Sequence, residues 1–230
     1  TSVYVAYKKA FKSGGIDNSA LPTASINPLS PTFEGFDALI YDSEEVDGFE
    51  IGLKSNLLNN NMRLNATYYK YEYTDLQVQL FDAAIIQFST FNAGAVETEG
   101  FEADLLWYTD IPGLSLRGQF AWTDATNTGD FITPGGENLK GSKRSYSPEI
   151  AGSFGLSYDS GLSNGWRYNI STDARYSDEY GWGTYIDSPM QDSFWINDVA
   201  LSLYSEDGKH SFNLIGRNLG DEIVIITGGA

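Results

Sequence analysis

The chain has 230 residues, enough for one large domain or two small ones with a sizeable core. Its formal net charge of −17, from 31 acidic and 14 basic residues, argues against nucleic acid as a partner, because a surface that binds nucleic acid has to be basic. The chain contains no cysteine, which excludes disulfides and thiol chemistry.

Nine segments along the chain alternate large or apolar side chains with polar ones, as β-strands do when their two faces lie in different surroundings. Residues 166–176 show the pattern most clearly, with Trp166 and Tyr168 on one face and Arg167 and Asn169 on the other. No segment shows a helical period. In chain order the predicted strands are 3–12, 46–58, 62–80, 96–108, 114–124, 146–158, 166–176, 193–204 and 212–218.

The connections between these strands alternate in length. In chain order they are long (14–43), short (59–61), medium (81–95), short (109–113), long (125–145), short (159–165), medium (181–191) and short (206–209). An outer-membrane β-barrel has this rhythm, because its periplasmic turns are short and its extracellular loops are longer. A soluble β-sandwich has strands at a similar spacing, but nothing makes its connections alternate.

Hydropathy and the two strand faces also favour a membrane barrel. The mean hydropathy is −0.28 and no apolar run approaches the roughly 18 residues of a membrane helix, whereas a barrel strand needs only about 9–11 residues with every second one apolar. Mid-strand charges lie almost entirely on the face opposite the aromatics. The bulkiest side chains of the apolar face cluster near strand ends, at Trp107, Trp122, Tyr158, Trp166 and Tyr176.

Several phrases of the sequence resemble those of a known family. They are VYVAYKKAFKSGG at 3–15, EEVDGFEIGLKSNLLNNNMRLNATYYKYEYTDLQVQ at 44–79, NAGAVETEGFEADLLW at 92–107, YSPEIAGSFGLSY at 146–158 and GRNLGDE at 216–222. Together, and in this order, they resemble the barrel of TonB-dependent outer-membrane receptors over nearly the whole chain. The resemblance implies an all-β fold, an antiparallel up-and-down transmembrane β-barrel that is incomplete here, with about nine of roughly 22 strands.

The resemblance does not extend to every part of such a receptor. The family has an N-terminal plug domain with a Ton box, and a final strand that usually ends in an aromatic residue; this sequence starts at Thr1 and ends in IVIITGGA. We therefore expect residues 1–230 to be a partial barrel domain, from which the plug, the first strands and the final strand are absent. Such a piece has two open sheet edges, which lipid does not tolerate, so alone it is expected neither to insert nor to transport.

Catalytic and metal sites find little support in the sequence. His210, the single histidine, lies beside a predicted hairpin turn and is interpreted as a solvated turn residue rather than a member of a triad or metal site. Residues 124–130 (DATNTGD) partly match a calcium loop, but Gly135 stands where the closing Glu belongs, so a plain loop is favoured. We expect no catalytic residue, no metal and no cofactor.

Charged residues of the polar face are predicted to line the barrel lumen. They are Glu102, Asp104, Arg117, Arg167, Asp173 and Arg175. Glu102 and Asp104 lie two apart on one face, and such a carboxylate pair is also compatible with acid/base work. On a barrel like that of the receptors, hydrogen bonds to Arg117, Arg167 or Arg175, or to plug residues, are favoured.

An aromatic loop contains the predicted ligand contacts, Tyr180, Trp182 and Tyr185. Aromatic side chains in an outer loop stack on a chelate, a haem or a sugar. The alternative for these three residues is packing within the loop or membership of an interface girdle.

The resemblance implies TonB-energised uptake of a scarce nutrient, most often a ferric siderophore, across the outer membrane of a Gram-negative cell. The implied partners are outer-membrane lipid and lipopolysaccharide, TonB–ExbB–ExbD through the missing plug, and a ferric chelate or another small ligand. Two hypotheses from other classes stay open. One is a passive porin-like or structural barrel; the other is a soluble β-sandwich that binds carbohydrate or acts on it.

Overall fold

The computed structural model describes residues 1–17, 29, 35–82, 87–133, 135–183 and 189–225. Within these residues, nine strands form one antiparallel sheet in which each strand pairs with the next of the nine. The strands are β1 (Ser2–Lys12), β2 (Glu44–Leu57), β3 (Met62–Thr74), β4 (Val96–Tyr108), β5 (Leu114–Asn127), β6 (Ile150–Gly161), β7 (Arg167–Ser177), β8 (Phe194–Tyr204) and β9 (Ser211–Gly216).

All nine predicted strands are confirmed, but some of their bounds and one connection were wrong. The predicted strand 62–80 stops at Thr74, because the chain kinks at Asp75 into a left-handed backbone conformation with φ 52°. The following residues leave the sheet as a separate ladder, Leu76–Asp82 paired with Gln87–Ala93, where a loop was predicted over 81–95. Strand β5 runs on to Asn127, and β6 begins at Ile150 instead of Tyr146.

Two further ladders and two 3-10 turns complete the described secondary structure. Gly15–Ile16 pairs with Ile40–Tyr41, and Tyr180–Gly181 pairs with Met190–Gln191. The 3-10 turns are Phe36–Leu39 and Leu58–Asn60. No helix in the described ranges is long and apolar enough to cross a membrane.

Short and long connections lie at opposite ends of the sheet. The turn end carries the connections 58–61, 109–113, 162–166 and 205–210. These turns use residues that accept a left-handed backbone, such as Asn59 with φ 55° and Gly165 with φ 83°. The opposite end, which we call the loop end, is where the strands joined by the longer connections 13–43, 75–95, 128–149 and 178–193 begin and end. The predicted alternation of connection lengths is therefore confirmed.

One face of the sheet, which we call the aromatic face, carries two belts of rings with aliphatic side chains between them. The loop-side belt consists of Phe49, Tyr68, Phe101, Trp122, Tyr176 and Trp195, and the turn-side belt of Trp107, Tyr158, Trp166, Tyr168 and Phe212. Rings pair within each belt: Tyr176 and Trp195 have centroids 5.0 Å apart, and Trp166 stacks on Phe212 at 6.2 Å. The belts lie eight residues apart on β7, about 26 Å along an extended strand.

No described part of the chain covers the aromatic face. Phe154 and Ile170 are 50% and 43% exposed although both lie in inner strands of the sheet. The buried apolar cluster of the described residues lies at the loop end instead, where Phe131 packs with Ala93 and Leu139 against the hairpin of residues 76–93. The sheet thus has a large apolar face without a protein core behind it.

The turn of residues 109–113 packs against strand β6, and its geometry requires a glycine. Gly113 has φ 83°, its carbonyl accepts a 2.9 Å hydrogen bond from the Asp159 N–H, and a Cβ at this position would collide with the Asp159 carbonyl oxygen. We therefore expect Gly113→Ala to lower the free energy of unfolding by about 2–3 kcal/mol, from backbone strain of about 1 kcal/mol plus the displacement of β6. Denaturant unfolding of the full-length protein measures this loss.

Gly208→Ala is the matched control. Gly208 also has a positive φ, 67°, but a Cβ there meets nothing within 4 Å. This variant should lose only the strain of about 1 kcal/mol. Equal losses for the two variants would contradict the packing of the turn on β6.

Candidate functional site

The second face of the sheet, the polar face, is crossed by side chains that reach over a whole strand. Four mid-strand glycines make this possible, and they are Gly48, Gly52, Gly100 and Gly155. At each of them a Cβ would approach a side-chain atom of a neighbouring strand to within 2.8 Å. Glycine in a strand often marks such a close approach.

Arg117 and Asp173 form the strongest of these crossings. Both residues stand opposite Gly155, one on each side of β6. The guanidinium donates to the carboxylate through Nε at 3.1 Å and through Nη2 to both carboxylate oxygens. Because a Cβ on residue 155 would lie 2.5 Å from Arg117 Nε and 2.8 Å from Asp173 Oδ1, the ion pair depends on the missing side chain.

Tyrosines make the other crossings. Tyr4 reaches over Gly52 to Thr67 with its hydroxyl 3.1 Å from the Thr67 Oγ1, and Tyr69 reaches over Gly100 to Thr123 at 3.3 Å. Glu50 joins two strands in a related way, since it accepts hydrogen bonds from Lys8 at 2.7 Å and Tyr71 at 2.6 Å, the two residues that flank Gly48. These contacts tie strands β1 to β7 together on the polar face.

The six predicted lumen residues do lie together on the polar face. The predicted hydrogen bonds from Glu102 and Asp104 to the three arginines were wrong, whereas the alternative of bonds to plug residues stays a prediction. Glu102 and Asp104 do not contact Arg117, Arg167 or Arg175. Asp104 instead accepts two 3.1 Å hydrogen bonds from Asn65, which stands directly opposite on β3.

The strand register explains the difference. Arg117 stands between Leu106 on β4 and Gly155 on β6. Only Gly155 lacks a side chain, so the guanidinium extends across β6. Arg175 pairs with Asp198 on β8 at 3.0 Å. Glu102 and Arg167 have no ion pair or side-chain hydrogen bond within the described residues.

A cavity of about 320 Å³ opens at the loop end, between the connections 128–149 and 178–193. Tyr180, one of the predicted ligand contacts, lines it; the Tyr180 ring lies 6.1 Å from the Tyr146 ring and its hydroxyl donates to the Ile225 carbonyl at 3.3 Å. Trp182 lies beside the cavity, and its Nε1–H is buried without an acceptor in the described structure. Tyr185 lies outside the described residues.

Charged side chains occupy the part of the aromatic face that lies beyond the loop-side belt. Lys70 lies 2.8 Å from Glu97 and 3.6 Å from Glu99, and Lys143 lies 2.7 Å from Asp124. The strands therefore continue past the apolar band into a region where charges are solvated.

Two further sequence expectations concern metals and catalysis. His210 lies in the turn after β8, where its N–H donates to Ser205 Oγ at 2.9 Å. Residues 124–127 continue strand β5 instead of forming a loop, so that Asp124 and Thr126 point to one face and Asn127 to the other. Such a backbone does not wrap around an ion, and no group of three potential metal ligands occurs in the described ranges.

Comparison with protein families decides the classification. Residues 1–219 match the family model of the TonB-dependent receptor-like β-barrel. The chain belongs to this family. Its nine-stranded sheet is accordingly part of the wall of a TonB-dependent receptor barrel, and the predicted fold class is confirmed. No curated protein sequence matches the chain significantly.

Solved structures of the same fold cover nearly all of the chain. The ferric yersiniabactin uptake receptor FyuA from Yersinia pestis is 16% identical, with a TM-score of 0.70 over 96% of this chain and 30% of its own. The siderophore receptor PiuA from Acinetobacter baumannii is 20% identical with a TM-score of 0.68, again over 96% and 30%. The ferric-catecholate import receptor Fiu from E. coli is 20% identical with a TM-score of 0.65, over 96% and 29%.

The chain spans about 30% of the length of these receptors. At such low identity the likeness shows the fold of the receptor barrel and nothing about a ligand.

Sequence reasoning missed several residues around the cavity at the loop end. Arg144 and Asn127 contact each other there, and Arg144 lies over the Phe131 ring at 5.9 Å. Residues 125–145 were predicted to be one loop. The sequence pattern gave no signal for this continuation, because Asp124 and Thr126 follow Trp122 on the apolar face of β5 and end its alternation.

The crossing over Gly155 gives a direct test of the polar face of the receptor barrel. We expect Gly155→Ala to separate Arg117 from Asp173 and to lower the free energy of unfolding of the full-length receptor by about 1–2 kcal/mol. In a double-mutant cycle, the coupling between residues 117 and 173 should disappear when the cycle is repeated in the Gly155→Ala variant.

Gly118→Ala is the matched control, since Gly118 is also a mid-strand glycine but a Cβ there has its nearest neighbour at 3.8 Å. This variant should leave both the stability and the coupling unchanged. Coupling of residues 117 and 173 that persists in the Gly155→Ala variant would contradict the role of Gly155.

Proposed function

We propose that the chain forms part of the wall of an outer-membrane receptor that takes up a ferric siderophore with energy supplied through TonB. The observation that carries the proposal is the uncovered aromatic face between its two belts, on a chain that belongs to the TonB-dependent receptor barrel family. The solved receptors with this fold include the siderophore receptors FyuA and PiuA. Membrane location, partners and substrate follow as parts of this proposal.

In this proposal the aromatic face lies against outer-membrane lipid. The belts lie about 26 Å apart along a strand, and a strand tilt of about 35–45° makes this a height of about 18–21 Å. That height lies within the roughly 25 Å apolar band of outer-membrane barrels, which aromatic girdles flank at both interfaces. The charges beyond the loop-side belt, such as Lys70 and Glu97, then lie at the level of the lipopolysaccharide head groups.

The polar face then lines the lumen and meets the plug. The predicted lumen residues lie on it: Glu102, Asp104, Arg117, Arg167, Asp173 and Arg175. Glu102 and Arg167, which lack partners in the described part of the chain, are the two that are open to groups of the plug. TonB–ExbB–ExbD would act through that plug and not through this chain, which we propose is a part of the barrel domain.

The loop end is then extracellular, because short turns lie on the periplasmic side of outer-membrane barrels. The ligand would approach the cavity between the connections 128–149 and 178–193. Tyr180 and Trp182 are the aromatic residues proposed to contact a ferric chelate, together with Tyr185. The tyrosine pair formed by Tyr180 and Tyr146 offers a ring surface at this position.

Uptake of labelled iron tests the proposal. The full-length receptor, produced in cells that lack their own siderophore receptors, should import ferric siderophore at low concentration with saturable kinetics. The import should stop when TonB is absent or the proton-motive force is collapsed. Import that rises linearly with concentration and does not depend on TonB would show a passive pore instead. If the receptor neither binds nor imports any ferric chelate, the proposal is contradicted.

A pair of adjacent residues tests which face meets lipid. Leu156 lies on the aromatic face of β6 and Ser157 on the polar face, where its neighbours across the strands are Ser115 and Ser171. We expect Leu156→Arg to lower the free energy of unfolding of the full-length receptor in lipid by about 2 kcal/mol, because a charge is placed in hydrocarbon.

Ser157→Arg is the control for this substitution and should cost close to nothing, since the lumen is polar. Reversible unfolding in bilayers measures both variants. The opposite order of the two losses, or equal losses, would contradict the proposed orientation of the sheet.

A further inference from the structure

The cavity at the loop end contains one cation that the protein does not neutralise within its described residues. The segment that follows residue 141 returns along β5, with a bridge between Thr126 and Lys143 and a 2.8 Å hydrogen bond from the Arg144 N–H to the Ala125 carbonyl. Neighbouring side chains of this segment alternate like those of a strand. Lys143 therefore points to the aromatic face, where Asp124 pairs with it, and Arg144 points to the polar face.

Arg144 is half-buried and has few acceptors. Its guanidinium carries five N–H donors, and a single hydrogen bond is present in the described structure, from Nη1 to Asn127 Oδ1 at 3.3 Å. The Phe131 ring lies 5.9 Å from the guanidinium carbon. No carboxylate of the described residues comes within 4.0 Å of this guanidinium. Burial lowers the pKa of the Arg144 guanidinium, as expected of a cation that lacks a counter-charge.

Three carboxylates line the same cavity, those of Glu149, Asp178 and Glu179. None of them forms an ion pair with Arg144, and two of them accept hydrogen bonds from rings of the aromatic face. Glu149 accepts a 3.3 Å hydrogen bond from Trp122 Nε1, and Asp178 accepts a 2.9 Å hydrogen bond from the Tyr176 hydroxyl. Both aromatic donors belong to the aromatic face, so these two carboxylates already have hydrogen-bond partners other than Arg144. The other arginines on the polar face of the described sheet differ from Arg144. Carboxylates lie within 4.0 Å of Arg63, Arg117 and Arg175, and Arg167 is exposed to water.

We propose that Arg144 receives a carboxylate group of the ligand in this cavity, so that the receptor takes a carboxylate-bearing ferric chelate. A half-buried guanidinium without a counter-ion has N–H donors that lack acceptors. A carboxylate is a planar anion whose two oxygens accept two parallel hydrogen bonds from such a guanidinium. A cavity of about 320 Å³ holds one arm of a chelate, with the Tyr180 ring and the Phe131 ring on its wall.

The acidity of this chain disfavours an anionic ligand at a distance from Arg144. A net charge of −17 repels anions at long range, so an anionic ligand has to gain its affinity from a site with little water. The inference rests on the proposed siderophore uptake and assigns the substrate class of the same site.

Direct binding to the full-length receptor tests this assignment. The probes are ferric complexes of three classes: a carboxylate type such as ferric dicitrate or a citrate-based siderophore, a tricatecholate without carboxylates, and the neutral trihydroxamate ferrichrome. We expect the tightest binding from a carboxylate-bearing chelate. Arg144→Gln should weaken it about tenfold or more, because a charge-assisted hydrogen-bond pair is lost, and Arg144→Lys should fall between Gln and the native receptor.

Lys143→Gln is the matched control: it removes the neighbouring positive charge, but Lys143, which also lines the cavity, is already neutralised by Asp124 at 2.7 Å. The affinity of this variant for the same chelate should fall much less than that of Arg144→Gln. The melting temperature of each variant shows whether it is folded, and Arg144→Lys keeps the test valid if Arg144→Gln is unstable.

The outcomes separate the two proposals. Preference for a chelate without carboxylates, or native affinity in Arg144→Gln, would overturn the role of Arg144 while siderophore uptake still stands. An equal loss in Lys143→Gln and Arg144→Gln would also overturn it, since it would show a general charge effect. Binding of no ferric chelate by the native receptor would contradict the siderophore proposal itself.

Discussion

The antiparallel hydrogen-bond ladder between neighbouring strands is the interaction on which the whole sheet depends. In most soluble sheets one face packs on a core, and that packing contributes much of the stability. Here the described chain covers neither face of the sheet, and the buried apolar cluster around Phe131 lies outside it, at the loop end. The backbone pairing therefore has to fix the shape of the wall, and the surroundings have to supply what a core otherwise would.

The ladder also fixes the chemistry of both faces through its register. A shift of one residue would move every side chain of a strand to the opposite face. In β7 such a shift would put Arg175 and Asp173 among the aromatic belts and Tyr176 among the ion pairs. Because a charge in hydrocarbon costs about 2–4 kcal/mol, a membrane-embedded wall penalises this error at every strand.

The sequence was sufficient to predict the strands, their faces and the lengths of their connections, because each depends on local patterning. Alternation with a period of two reveals a strand that has two different surroundings, and Asn or Gly marks the turns. The predictions that failed concern features that depend on a backbone angle or on contacts between distant segments. Alternating residues resume directly after the kink at Asp75, at Leu76, so residues 62–80 were predicted as one strand.

The prediction of which residues the charged side chains contact failed for a related reason. Arg117 and Asp173 are 56 residues apart, and they meet because a third strand places Gly155 between them. A single sequence shows all three residues but not the register that aligns them. The position of Arg144 depends likewise on the return of its segment along β5, which the Gly- and Ser-containing composition of 125–145 hides.

Mid-strand glycines weaken a strand, since glycine loses more backbone freedom on folding and contributes no side-chain packing. On the polar face this loss is offset by contacts that join three strands at once, as at Gly52 and Gly155. Polar side chains that reach across a strand lie flat on the sheet instead of projecting from it.

The same logic separates the two kinds of charge in this chain. Charges that only hold the wall together are neutralised within it, as in the pairs Arg117–Asp173, Arg175–Asp198 and Lys143–Asp124. A half-buried cation that the wall leaves without a carboxylate has a cost in stability that no contact in the described structure offsets. Arg144 is such a cation, and it lies in the cavity between two long connections. A ligand that brings its own carboxylate would offset that cost at the moment of binding, which ties the affinity of the site to the charge of the ligand.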